Sequence, residues 1–176
     1  MDWLAEVVLI VLFLVLKGFF SGSEIAMVNS DKLKLRHQAR LGNRRAALVL
    51  KLFKNPDQIL GTTLVGTNIA TVTISTLGAL ICMDLLGTSG DLVSIVVLTP
   101  ILLILGEVVP KSIFQQKADE IASGIVYVLR FFTYLFYPVI FIFGRVARFG
   151  TRLVGGGVLP PSVHNQGGTA GVAGPV

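Results

Sequence analysis

Three short polar stretches interrupt the most apolar parts of this chain: Ser21-Gly22-Ser23-Glu24, Gly66-Thr67-Asn68 and Gly106-Glu107-Val108-Val109-Pro110-Lys111. Their side chains offer hydroxyls, a primary amide and carboxylates. The neighbouring Gly and Pro loosen a helix and release backbone carbonyls. All of these are hard oxygen donors, the set that suits Mg²⁺, Ca²⁺ or Na⁺ and not zinc or copper. Ionisable groups within a membrane span are unfavourable by roughly 2.5–3.5 kcal/mol each, so they need partners or a task. The chemistry indicated is cation binding among interrupted membrane helices.

Each stretch also admits a simpler reading. Ser21–Glu24 can offer oxygens to a cation, or it can be a Ser/Gly packing notch with Glu24 at the interface or paired with Lys17. Gly61 through Thr76 is rich in small polar residues, which suit close helix–helix packing, including across a dimer. Asn68 stands apart there, because an amide in mid-span needs a partner and its carbonyl is a hard-oxygen ligand. Pro110 has no N–H to give the Gly106 carbonyl, which leaves that oxygen near the Glu107 carboxylate. Against a ligand role, Glu107 and Lys111 stand at i, i+4, a favourable helical ion pair.

The elements that must position these groups are membrane helices. Hydrophobic residues make up 53% of the 176 and charged residues only 14%, against about 25% in soluble domains; mean hydropathy is +0.78. The expected fold is all-α, with three transmembrane helices at about 3–28, 59–86 and 92–114. The first, at ~1.5 Å per residue, gives about 39 Å of helix, more than a ~30 Å hydrocarbon core, so it tilts, bends or protrudes. Its start carries Asp2 and Glu6 in place of a basic region, and no small-x-small site follows, so it does not read as a cleaved signal.

Charge orients the spans. Lys32, Lys34, Arg36, Arg40, Arg44, Arg45, Lys51 and Lys54 occupy 32–54 with no acid, whereas the connector Asp84–Asp91 has two acids and no base. The positive-inside rule puts the N-terminus outside, 32–54 inside, 84–91 outside and Lys111 onward inside, with a cytoplasmic C-terminus. The basic run follows a span directly and therefore faces anionic lipid of the cytoplasmic leaflet, not nucleic acid. The apolar stretch at about 119–138 contains Arg130 and Pro138 and many aromatics, and crossing there would leave Arg145, Arg148 and Arg152 outside. It is expected to lie at the interface as a belt helix. Cytoplasmic juxtamembrane helices are expected at about 31–54 and 139–153, and 154–176 reads as a flexible linker or cloning-derived tail.

An enzyme is not supported. His37 and His164 lie in the basic loop and the tail, and no zinc-protease, Ser/His/Asp or phosphate-cradling glycine motif occurs. The single Cys82 excludes an internal disulfide and a cysteine-built metal site.

Taken in order, Ser21-Gly22-Ser23-Glu24-Ile25-Ala26, the basic segment, Leu64-Val65-Gly66-Thr67-Asn68 and Gly106-Glu107-Val108-Val109-Pro110-Lys111-Ser112 resemble the transmembrane domain of the CorC/CNNM family over roughly residues 5–150. The resemblance implies Mg²⁺ export driven by Na⁺ entry, a homodimer, three spans and a belt helix, in an inner or plasma membrane. By similarity the metal ligands are Ser21 or Ser23, Asn68 with the Gly66 carbonyl, and Glu107. Glu24 and Lys111 match motif positions without necessarily touching the ion. Family members continue into a cytoplasmic CBS-pair domain that binds ATP, which this sequence does not include. Two alternatives stay open: a non-transporting scaffold or regulator of Mg²⁺ homeostasis, and a Na⁺ or Ca²⁺ transporter.

Overall fold

A computed structural model describes residues 3–142 and Arg145. The architecture belongs to the unit Met1–Ile142; the second unit, Phe143–Val176, falls outside the described residues apart from Arg145. Most of the juxtamembrane helix expected at 139–153, and the whole 154–176 tail, therefore lie outside the described residues.

Every described element is helical. α1 (Trp3–Asn29) is the first apolar run. α2 (Lys32–Arg40) and α3 (Arg44–Leu52) divide the basic segment. Each has an N-cap: the Asp31 carboxylate accepts from Leu33 and Lys34 N–H, and the Asn43 side chain accepts from Arg45 and Ala46 N–H. Gly42, at φ 90°, makes the turn between them. Pro56 opens α4 (Pro56–Leu86), where its missing N–H has no helical partner to lose.

The helical path from Pro56 to Gln116 is 61 residues long and, like α1, apolar enough to cross a membrane. It is folded back on itself at Gly87–Ser89, where Gly87 takes φ 65°, followed by α5 (Gly90–Leu103). Gly90 lies against the Cys82 carbonyl and Gly78 against Leu98, so α4 and α5 form an antiparallel hairpin with small residues at the closest approaches. A π-helical turn (Ile104–Val108) and α6 (Val109–Gln116) complete the second arm. α7 (Ala118–Leu135) follows; a turn at Phe136 interrupts the expected 119–138 belt, and a further helical stretch covers 137–142.

α1 is the centre of the unit. Phe20 meets Gly66 and Met27 shares a buried cluster with Ile59, so α1 and α4 run antiparallel. Lys17 meets Gly106, while Gly18 and Gly22 meet Pro110 and Phe114, so α1 and the second arm run parallel. Phe20 also packs edge-on to Phe132 of α7, with centroids 4.9 Å apart. Below this, Met27, Leu35, Val49, Ile59, Ala122, Val126 and Leu129 bury α1, α2, α3, α4 and α7 against one another. The Thr62 and Thr133 hydroxyls lie 3.0 Å apart, bringing α4 against α7.

Candidate cation site

The face of α1 carrying Lys17, Gly18, Ser21 and Gly22 receives the second arm. A Cβ on Gly18 would stand 2.9 Å from Pro110 Cγ, and one on Gly22 2.6 Å from Phe114 Cγ. Gly106 reciprocates: a Cβ there would stand 2.8 Å from Lys17 Cδ. These glycines are spaced so that two backbones can approach, which is the packing reading of the motifs.

Ser21 does something else on the same face. It is 2% exposed, and its Oγ is buried without a hydrogen-bond partner among the described residues. Neighbouring helical hydroxyls behave differently: Ser23 donates to the Phe19 carbonyl at 2.6 Å, Thr62 to Gln58, Thr67 to Thr63 and Thr71 to Thr67. A buried unpaired hydroxyl is unfavourable by about 1–3 kcal/mol and points to an ion or water. Of the two serines expected as ligands, Ser23 has its proton placed on the Phe19 carbonyl and keeps its lone pairs, whereas the Ser21 hydroxyl has neither donor nor acceptor partner among the described residues.

The opposing arm is unwound at the same level. Within the π turn the Val109 N–H bonds the Ile104 carbonyl, five residues back. Pro110 then stands five residues after Leu105 and has no N–H to offer. In this register Pro110 falls opposite the Leu105 carbonyl, which adjoins the Gly106 carbonyl expected from α-helical spacing. The Leu105 oxygen lies 3.9 Å from the Gly18 Cβ position, facing α1. Inserted π turns commonly mark functional sites. Sequence reasoning identified Pro110 but not the extra residue, because a π turn has no residue preference of its own.

Glu107 sits in this turn. Its Oε1 accepts from Lys111 Nζ at 2.8 Å, with side chains 41% and 32% exposed. Lys17 lies beside it, only 7% exposed and in no ion pair among the described residues. Glu24 is half-buried one turn beyond Ser21 and does not pair with Lys17. Gly66 is buried against the Phe20 ring. Asn68 does not join these groups within one chain: it is exposed, on the α4 face that also presents Leu64 and Val72. No set of three or more His, Cys, Asp or Glu able to hold a metal occurs among the described residues. A cation here would meet one carboxylate, neutral oxygens and water.

At the opposite end of the α1–α2 connection, Asp119 fastens α7 to α2. Its Oδ1 accepts from the Asp31 backbone N–H at 2.7 Å and its Oδ2 from Lys34 Nζ at 3.0 Å. The Asp31 N–H, then the Lys34 ammonium, hold the Asp119 carboxyl below the usual carboxylate range, and the same hydrogen bond raises the Lys34 ammonium. Sequence gave no signal for this link, which joins residues 88 apart.

Long apolar helices able to cross a membrane, interrupted by polar residues, mark a helical membrane protein. The family description "Cyclin M transmembrane N-terminal domain" matches residues 8–166, and the chain belongs to that family. The resemblance read from the three motifs is borne out. The UPF0053 inner membrane protein YfjD of Escherichia coli K12 is 32% identical over 140 residues, 80% of this chain and 33% of that protein. A UPF0053 protein of Synechocystis, sll0260, is 32% identical over 164 residues, 85% of this chain and 37% of its own length. A Haemophilus influenzae relative named polyamine export protein is 22% identical over 166 residues, 87% of this chain and 38% of its own. The chain spans about a third of the length of these relatives.

Proposed function

We propose that this chain is the membrane domain of a homodimeric Mg²⁺ exporter coupled to Na⁺ entry. The observation that carries the proposal is the unpaired Ser21 hydroxyl, buried on the α1 face that receives the π turn of Leu105 and Glu107. Mg²⁺ keeps several waters and takes few carboxylates, so Ser21, the Leu105 carbonyl and Glu107 form a fitting partial shell. Lys111 acts as the internal counter-ion of Glu107, and an arriving cation competes with it. Lys17 must turn away from the carboxylate for a dication to bind, since its charge opposes that of the cargo.

Length and direction support three spans. At ~1.5 Å per residue the 61-residue path is about 92 Å long, three times the hydrocarbon core, and its fold at Gly87–Ser89 divides it into two crossings. With α1 parallel to the second arm, the N-terminus lies outside and the basic α2–α3 segment inside, as the charge rule requires. α7 lies as a belt at the cytoplasmic interface. Asn68 faces outward from one chain, where a second copy would cover it and spare a polar amide contact with lipid. By family similarity this membrane domain sits in an inner or plasma membrane and leads into a cytoplasmic CBS-pair domain.

The test is Mg²⁺ flux from proteoliposomes. Glu107→Ala is expected to abolish Mg²⁺ efflux while the protein keeps its oligomeric state and melting behaviour; wild-type flux in this variant overturns the proposal. A second reading, polyamine export, is favoured by one contact: Glu107 already binds a primary ammonium, that of Lys111, at 2.8 Å. The polyamine exporter of Haemophilus influenzae is a relative. Efflux of spermidine and not Mg²⁺ from the same liposomes would select it, and no flux of any cation would leave the scaffold alternative.

A further inference from the structure

The junction of α2 and α3 holds a second site of opposite character. A cleft of about 290 Å³ is lined by Lys32, Arg36, Leu50, Phe53 and Lys54. Lys32 and Arg36 are four residues apart, on one face of α2. Leu50 and Phe53, half-buried, form an apolar floor. Lys32 Nζ sits 5.3 Å from the centroid of the Phe53 ring, a cation–π contact that fixes one cation at the rim.

None of the three cations is neutralised. Residues 32–54 contain no acid, and among the described residues Lys32, Arg36 and Lys54 make no ion pair. The contrast with Lys34 is direct. It lies on the same helix but turns toward α7 and pairs with Asp119 at 3.0 Å. Three like charges around one cleft repel one another, and an anion inside relieves that repulsion. Arg offers a fork of donors to phosphate oxygens and Lys a point charge.

We propose that this cleft binds a phosphate group, with Arg36 as its forked donor, Lys32 and Lys54 as flanking charges, and the Leu50–Phe53 floor against the apolar part of the ligand. The phosphate comes either from an anionic lipid of the adjoining leaflet or from a soluble phosphate compound. The lipid source rests on the orientation proposed for the spans; the cleft itself does not. It shares no residue with the cation site, whose groups belong to α1 and the π turn.

The experiment uses the purified protein in detergent, with native mass spectrometry to count bound phosphatidylglycerol against phosphatidylcholine, and thermal unfolding with and without inorganic phosphate. Arg36→Gln with Lys54→Gln removes two cleft cations. Arg40→Gln with Arg44→Gln removes two cations of the same segment outside the cleft. Losing direct charge-assisted bonds should weaken phosphatidylglycerol binding in the cleft variant at least about tenfold beyond the control. Arg36→Lys, which keeps the charge but loses the fork, should bind more weakly than wild type and more tightly than Arg36→Gln. If inorganic phosphate instead raises the melting temperature of the wild type and not of the cleft variant, the soluble source holds. Equal loss in both double variants means a diffuse basic surface and overturns the site, as does an absence of any preference for the anionic lipid together with no phosphate effect. Mg²⁺ flux measured on the same variants is expected to persist, so failure of the cleft and failure of the transport reading are told apart.

Discussion

Gly66→Ala provides a quantitative test of how the first two polar motifs are used. A Cβ at Gly66 would fall inside contact distance of the Phe20 ring, overlapping Cδ2, Cε2 and Cγ. Phe20 cannot swing clear: it is 0% exposed and enclosed by Phe132 at 4.9 Å, Phe19 at 5.5 Å and Phe136 at 6.1 Å between ring centroids. Overpacking of this kind destabilises by about 1–3 kcal/mol, and three overlapping ring atoms place it at the upper end. Replacing Gly by Ala within a helix returns roughly 1 kcal/mol. The expected net loss is therefore about 2 kcal/mol, read from equilibrium unfolding in mixed detergent micelles. Gly124→Ala is the control, because a Cβ there meets nothing within 4 Å, and it should be neutral or stabilising by up to about 1 kcal/mol. Phe20→Leu in the Gly66→Ala background should recover part of the loss, giving a coupling of about 1–2 kcal/mol in a double-mutant cycle. A Gly66→Ala protein as stable as Gly124→Ala, or strict additivity with Phe20→Leu, would refute the Gly66–Phe20 contact as the reason for glycine at this position.

Two further outcomes separate roles that the sequence leaves merged. Ser21→Ala should leave unliganded stability unchanged or raise it by about 1 kcal/mol, since it removes a buried unpaired hydroxyl. The same change should reduce the upward shift in melting temperature that Mg²⁺ produces by mass action; a full wild-type shift would remove Ser21 from the site. Asp119 has a depressed carboxyl pKa in the folded protein, so its stabilisation is complete above the unfolded value near ~3.9 and is lost as pH falls through the lower, folded value. Lys34 acts in the opposite limb: its contribution is complete below the unfolded lysine value and is lost as pH rises through its raised value. Asp119→Asn should therefore lower stability at neutral pH and flatten the acid limb below about pH 4, and an unchanged acid limb in unfolding curves would show that the α2–α7 fastening contributes nothing.

How far the fold was legible follows from the range of the forces involved. The long apolar runs at Trp3–Asn29 and within Pro56–Gln116, the caps Asp31 and Asn43, Pro56 at the start of α4 and Gly87 at the reversal are local signals, set by solvent transfer and backbone dihedrals. A sequence displays such signals directly. The division of 31–54 into two helices was less plain, because Gly42 between two capped basic helices reads equally as a flaw in one.

The site divides in the same way. Residue chemistry alone determined that Ser21, Asn68 and Glu107 supply hard oxygens where the surrounding chain is apolar, and that Pro110 must leave a carbonyl without its donor. Which oxygens are free was decided by tertiary structure. Ser23 satisfies itself on Phe19 while Ser21, two residues earlier and turned toward the second arm, does not. The π turn brings the Leu105 carbonyl opposite Pro110, beside that of Gly106. Gly66 admits the Phe20 ring, and Asn68, two residues further, turns away from α1 altogether. The Ser23 bond and the π turn are local to their own helices, but the Ser21 and Asn68 outcomes depend on how one helix is rotated against another, a degree of freedom fixed by packing of residues far apart in the chain and invisible to spacing along it.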